Sequence, residues 1–337
     1  MRRGLLGLVC TVALLSAACG DDSAAPTAST TTSTTTTSTI APTTTTPTTT
    51  SVAPATTTGT DLRPKCATHP SETRTLIDES RITPATSQAE EIATRSIDVW
   101  IDRPALSVPV PLLVFAHGLT GHPRNHEMHR SYLAEECFVV VALAFPLTNE
   151  DVPEGLFNVG DIEGQVGDVS FVIDQVLADP ELGLLIDPDR IGVIGHSLGG
   201  LTTAGAALSP GSDTRVSAAV VMSAGFGEVR EDVAVLVLHG ANDGSVPIAS
   251  SEVSYGLLTG RRLFATILDG DHVTGIIDDD SEQGSVVRAL TGAFLSHELG
   301  GDPGTIEELF ESPLDLVAVV AGTVDGPLED WQDYFSS

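Results

Sequence analysis

The chain has 337 residues, and its 46 acidic against 16 basic side chains leave a formal net charge of −30. A surface this negative repels phosphate, which argues against nucleic acid or an anionic membrane surface as partner. Lys65 is the one lysine, and nothing beyond residue 60 is apolar for long enough to span a bilayer.

Residues 1–18 open with Arg2 and Arg3, continue through an apolar run at 5–15 and end in small residues, the layout of a secretory signal. The following "LLSAACGDD" resembles bacterial lipoprotein precursors, in which Cys19 would be the residue that is exposed by cleavage and lipidated. Leu15 stands one place further from the cysteine than that family's usual leucine, and Ser16 and Ala18 also satisfy ordinary secretion, the alternative. Residues 23–60 are almost all Thr, Ser, Pro and Ala and lack the apolar content that offsets ordering entropy. They predict a disordered tether. The chain thus divides into a signal at 1–18, an anchor cysteine and linker at 19–60, and one α/β domain at 61–337.

Strand-length apolar runs recur along that domain. "TRTLIDESR" and "RSIDVWIDRP" predict a first hairpin, followed by "VPLLVFAHG", a helix over "NHEMHRSYLAEEC", and the strand "FVVVALAFP". A helix over "VGDVSFVIDQVLAD" leads to the strand "RIGVIGHS", with a new helix from Leu198. "VSAAVVMSA", "VAVLVLHG" and "RRLFATILDG" are three more strands, interleaved with helices "SVPIASSEVSYGLL" and "GSVVRALTGAFLSHEL". Eight Val- and Ile-rich strands alternating with helices predict a mostly parallel sheet covered on both faces. In such sheets functional residues gather at the carboxyl ends of strands.

Three strand ends hold chemistry-bearing residues. After the fifth, Gly195-His196-Ser197-Leu198-Gly199 is a G-x-S-x-G pattern between strand and helix, where small neighbours let a sharp turn lift a serine hydroxyl above the sheet. A hydroxyl needs an imidazole to take its proton, and the imidazole needs a carboxylate to fix its tautomer. "HGANDGSVP" after the seventh strand offers Asp243, and "LDGDHVTG" after the eighth offers His272. Asp243 before Gly244 also suits a turn or cap, Asp271 is a rival acid, and His272 could be a surface loop residue. His196 precedes the serine on the same turn and is read as a packing or hydrogen-bonding residue. Oxyanion donors are expected at the backbone N–H groups of Leu198 and of Leu119 in "FAHGLTG". His117, His122, His126 and His129 lack a Cys or acid at zinc-type spacing, so no metal and no cofactor is expected. Cys66 and Cys137 are either separate thiols or, in an oxidising compartment, a disulfide worth roughly 4 kcal/mol in the chain-entropy picture.

These residues resemble the α/β-hydrolase superfamily over about residues 73–310, and within it dienelactone-hydrolase-like, platelet-activating-factor acetylhydrolase-like and chlorophyllase-like proteins. "GHSLGG", "HGANDGSVP" and "GDHVTG" carry the superfamily resemblance; the "HG" turn and "DVSFVIDQV" carry the branch. The resemblance implies a Ser197, Asp243 and His272 triad with Leu119 and Leu198 as oxyanion donors. Ser197 stands where dienelactone hydrolases have cysteine, and Leu198 where the acetylhydrolases commonly have Phe. Extracellular cutinase-like and polyester hydrolases are similar too. The short stretch 226–232 leaves no room for a large lid. A secreted, lipid-anchored, monomeric serine carboxylester hydrolase is expected, acting on a small or polymeric ester, its membrane contact through the lipid alone. Free histidine titrates near pH ~6.5, so activity should fall below that region as His272 takes up a proton. The rivals are a serine peptidase resembling the prolyl oligopeptidase group and a lipoprotein that keeps the fold only to bind.

Overall fold

The computed structural model describes residues 65–153, 156–227 and 229–300 and the backbone of 317–322. The predicted signal, Cys19 and the linker through residue 60 lie outside the described residues. In chain order the elements are β1 (Glu72–Asp78), β2 (Arg95–Asp102), β3 (Val110–Ala116), α1 (Glu127–Glu135), β4 (Val139–Ala144), α2 (Ile162–Ala178), β5 (Ile186–His196), α3 (Leu198–Ala207), β6 (Val216–Met222), β7 (Ala234–Gly240), α4 (Ile248–Leu257), β8 (Arg262–Ile267), α5 (Glu282–Gly300) and β9 (Val317–Gly322).

All eight expected strands are present, and β9 adds a ninth. They form one sheet in the order β1-β2-β4-β3-β5-β6-β7-β8-β9. The run from β4 through β8 is parallel, while β1, β2 and β9 join antiparallel at the edges. β5 therefore lies at the centre, and the carboxyl ends of β3, β5, β7 and β8 share one edge of the sheet.

Side chains that alternate along each strand divide the core in two. Leu112 and Val114 of β3 join Val193 of β5 and Val235 of β7 against α2, α3 and α4 through Val169, Ile173, Ala206 and Tyr255. Leu113 and Phe115 join Ile194 and Leu236 against α1 and α5 through Leu133, Leu290 and Phe294. With both faces covered, β3, β4 and β7 are buried at every residue, which is why they read as unbroken apolar runs rather than as alternation.

Two further constraints fix the margin of the domain. Cys66 and Cys137 are joined in a disulfide across a sequence separation of 71, with their Cα atoms 5.4 Å apart, tying the segment before β1 to the end of α1. Arg95, at the start of β2 and 1% exposed, donates from Nε to Asp168 Oδ1 (2.6 Å) and from Nη2 to Asp168 Oδ2 (2.7 Å) and Asp161 Oδ2 (2.6 Å). Arg81 reaches the same Asp168 at 2.9 Å. The cluster locks the β1–β2 loop to α2, and burial of the ions is tolerable only because each finds partners.

Replacing Arg95 by Met should therefore cost about 3–5 kcal/mol, because it strands buried Asp161 and leaves Asp168 with Arg81 alone. Thermal unfolding at neutral pH should show a midpoint roughly 10 °C lower, and an unchanged midpoint would show that the cluster adds no stability. Reducing the Cys66–Cys137 bond should lower the midpoint by a comparable amount, corresponding to roughly 4 kcal/mol.

Candidate active site

The turn between β5 and α3 forces Ser197 into φ 54°, ψ −117°. A side chain in that region is strained, so close packing must hold it there. A Cβ on Gly195 would run into the carbonyl of Gly199, and one on Gly199 into the carbonyl of Ala116. Glycine at both places lets the turn close, and the Ser197 N–H is anchored to Met222 O at 2.9 Å.

The structure brings Ser197, His272 and Asp243 together. His272 Nε2 lies 2.9 Å from Ser197 Oγ, and His272 Nδ1 lies 2.7 Å from Asp243 Oδ2. The side chain of Asp243 is fully buried, and that of His272 is 19% exposed. Because Nδ1 faces a carboxylate it holds the ring proton, and Nε2 is left as an acceptor for the serine proton. Asp243 Oδ1 also accepts from the N–H groups of Ser245 and Val246, each at 2.8 Å. The turn role and the role toward His272 are thus shared between its two oxygens. Burial pushes the Asp243 carboxyl up, but the His272 hydrogen bond and the two backbone N–H groups outweigh it and hold it below the ordinary carboxylate value. The rival, Asp271, spends Oδ1 on Val273 N, Thr274 N and Thr274 Oγ1 and so braces its own loop.

On the other side of Ser197 runs the turn after β3. Gly118 lies against the serine, since a Cβ there would be 3.2 Å from Ser197 Cβ. The Gly118 carbonyl accepts from His117 Nδ1 (2.7 Å) and from Gly121 N (2.9 Å). In a trans peptide the N–H points opposite to the C=O, so the Leu119 N–H is turned away from those donors. Leu198, first residue of α3, has an N–H that its own helix cannot satisfy. Leu119 lines the same cleft as Ser197, and Leu198 follows the serine directly.

Behind the serine sit four neutral histidines. His117 Nε2 accepts from Phe145 N at 3.1 Å, which leaves the proton on Nδ1 for Gly118. Burial drives its pKa down to about 4. His196, also pushed down to about 4 by burial, points Nε2 at the His272 carbonyl, 2.8 Å away. His126, held well below the ordinary value by burial, points Nδ1 at Ile276 O, 3.1 Å away. His129 is lowered to about 3 by burial, and its Nε2 has no partner. His122 goes elsewhere, accepting from Arg124 N and packing edge-on to Trp100. Of the histidines grouped by sequence, His117, His122 and His126 are therefore committed to separate partners.

A cleft of about 350 Å³ opens over Ser197 and His272, with Leu119, Val273 and Ile277 as apolar lining and Glu150 as a charged one. A second hollow of about 400 Å³, between the β1–β2 loop and residues 144–156, contains none of the three central residues. Between β6 and β7, residues 223–233 form no helix among those described.

Sequence reasoning missed His239, fully buried on β7 and 3.1 Å from Asp243 Oδ2, although it stands in the quoted "HGANDGSVP". It also missed the chain in which Thr202 Oγ1 donates to Gln165 Oε1 (2.7 Å) and Gln165 Nε2 to Thr148 Oγ1 (2.8 Å). Thr148 in turn accepts Thr120 N at its carbonyl, 2.8 Å away, so this chain braces the Leu119 turn from α2 and α3.

The fold is similar to that of the ferulic acid esterase from Streptomyces cinnamoneus, with a TM-score of 0.59 and 21% identity over 79% of this chain and 94% of that one. No curated protein matches. The profile described as "Alpha/beta hydrolase family" matches residues 113–334, which include every residue of the site. The chain belongs to the alpha/beta hydrolase family.

Proposed function

We propose that the protein is a serine hydrolase of carboxylic esters that works through an acyl-enzyme. The observation behind this reading is the unbroken line from Ser197 Oγ through His272 to Asp243, at 2.9 and 2.7 Å. As Oγ attacks the ester carbonyl, its proton passes to His272 Nε2, and the carbonyl oxygen becomes an oxyanion held by Leu119 N–H and Leu198 N–H. Asp243 stabilises the imidazolium without taking its proton. Collapse expels the alcohol, which receives that proton, and a water then repeats the sequence to release the acid. The fold shared with a ferulic acid esterase and the apolar mouth at Leu119, Val273 and Ile277 support an ester with an apolar acyl or alcohol part. The "HG" turn and "DVSFVIDQV" support the dienelactone-hydrolase-like branch of the family.

The location is part of the same proposal. A signal at 1–18, lipidation of Cys19 and the Thr/Ser/Pro-rich linker would hold the domain outside the cell membrane, where a disulfide such as Cys66–Cys137 persists.

On p-nitrophenyl butyrate, Ser197→Ala should lower kcat on the order of 10⁶-fold. A fluorophosphonate should label the wild type at Ser197 and leave that variant unlabelled, whereas near-normal turnover by the variant would end the assignment. A proline p-nitroanilide should not be turned over, and p-nitrophenyl esters of increasing chain length would map the pocket.

Acid should act on stability as well as on rate. His117, His196 and His129 have folded pKa values of about 4, 4 and 3, below the unfolded value of ~6.5. Between those values the unfolded chain binds more protons, so stability is full above about pH 6.5 and is lost as pH falls toward 4. The midpoint of thermal unfolding should drop steadily over that window, and a flat profile would contradict the burial of these rings.

In a bacterial host, the wild type should fractionate with membranes and Cys19→Ser should appear in the soluble extracytoplasmic fraction. Identical fractionation of the two would remove the anchor.

A further inference from the structure

The line of close polar contacts does not stop at Asp243. His239, the penultimate residue of β7, is completely buried. Its Nε2 lies 3.1 Å from Asp243 Oδ2 and 2.9 Å from Val246 O. Both neighbours are oxygens that can only accept, so Nε2 must hold a proton. On the far side of the ring, Nδ1 lies 2.7 Å from Ser251 Oγ in α4, and that hydroxyl is 2.8 Å from the carbonyl of Ala224, just after β6.

Asp243 therefore has every side of its carboxylate occupied. Oδ1 accepts two backbone N–H groups, and Oδ2 accepts His272 Nδ1 and faces His239 Nε2. Without His239, Val246 O would lose its donor and Oδ2 its close neighbour, and the carboxylate could tilt about its Cβ–Cγ bond. Rotation of that group would draw the His272 ring with it and lengthen the contact to Ser197. The titratable groups facing His239 are Asp243 on its own loop and, beyond it, His272 on the loop after β8. His196 on β5 is close enough to interact with all three. α4 presents Ser251, which does not titrate.

We propose that His239 is a positioning residue of this site: its Nε2–H, directed at Val246 O and in close contact with Oδ2 of Asp243, holds the acid's loop in line with His272, while Ser251 Oγ meets Nδ1 on the far side of the ring. The proposal rests on the reading of Ser197, His272 and Asp243 as a triad. It adds a group that touches no substrate and acts only through the acid.

The full chain is assayed on p-nitrophenyl butyrate as wild type, Asp243→Asn, His239→Leu, His239→Gln and His239→Asn, each checked for folding by circular dichroism. Loss of one hydrogen bond to a charged group corresponds to roughly 10- to 100-fold, so His239→Leu should lower kcat by that factor with little change in KM. The amide nitrogen of Gln reaches the position of Nε2, and that of Asn the position of Nδ1. His239→Gln should therefore recover most of the loss and His239→Asn little of it.

A folded Leu variant with wild-type kcat overturns the proposal. So does recovery by Asn equal to that by Gln, and this comparison decides if the Leu variant does not fold. If Asp243→Asn leaves kcat unchanged, the triad reading itself has failed, and the two failures are told apart.

Discussion

At Ser197 the backbone is held at φ 54°, in a region that costs on the order of 1–3 kcal/mol for a residue with a side chain. Much of the surrounding structure can be understood as what keeps it there. The longest strand, β5, ends at the centre of the sheet, so the turn is gripped on either side by β3 and β6. Two glycines allow α3 to start within contact of Gly195 and the end of β3. The strained residue is thus presented at a fixed height, and its partners come from the same edge of the sheet: the Gly118 turn from neighbouring β3, and Asp243 and His272 from the loops after β7 and β8. Geometry of this kind is stable only inside a large, well-packed sheet, which is what two covered faces provide.

Around that turn the protein uses imidazole mainly as a scaffold. His117, His126 and His196 each direct one N–H at a backbone carbonyl, of Gly118, Ile276 and His272 in turn. Burial keeps them neutral, so each has one donor and one acceptor of fixed direction. A lysine or arginine in such a place would bring an unpaired charge, and an amide would lack the rigid ring that fills the space. The ring chemistry that would suit His272 for proton transfer also suits its neighbours for holding loops still, and exposure separates them: the His272 side chain is partly exposed, whereas His117, His126 and His196 are buried.

Much of this could be read in the sequence, for identifiable reasons. Buried parallel strands are continuous apolar runs, so β3 through β8 stood out, and their ends pointed to Ser197, Asp243 and His272. What could not be read depends on three-dimensional pairing. β9 is a short Val-rich stretch indistinguishable by period from a piece of buried helix. Arg95 looked like any charged strand residue until α2 placed Asp161 and Asp168 beside it. Asp243 posed a choice between turn and acid that sequence could only frame as alternatives, because the division of labour between Oδ1 and Oδ2 exists only once the loop is folded. His239 was visible as the first letter of a quoted motif, yet nothing local distinguishes it from a core histidine. Its contact with the acid requires that the loop after β7 curl back over the strand's own end.

The placement of β9 bears on when the site can be complete. All six residues of β8 pair with β9, from Arg262 with Gly322 to Ile267 with Val317, and β8 leads directly into the loop that carries His272. A chain interrupted before Val317 would leave that side of β8 as an open row of donors and acceptors, an edge prone to pair with other chains. Closing the sheet thus falls to a strand synthesised after every other described element. A chain made only as far as the loop after β8 would hold Ser197 in a finished elbow while the strand before His272 still lacked an outer neighbour, which would tie the setting of His272 to the arrival of β9.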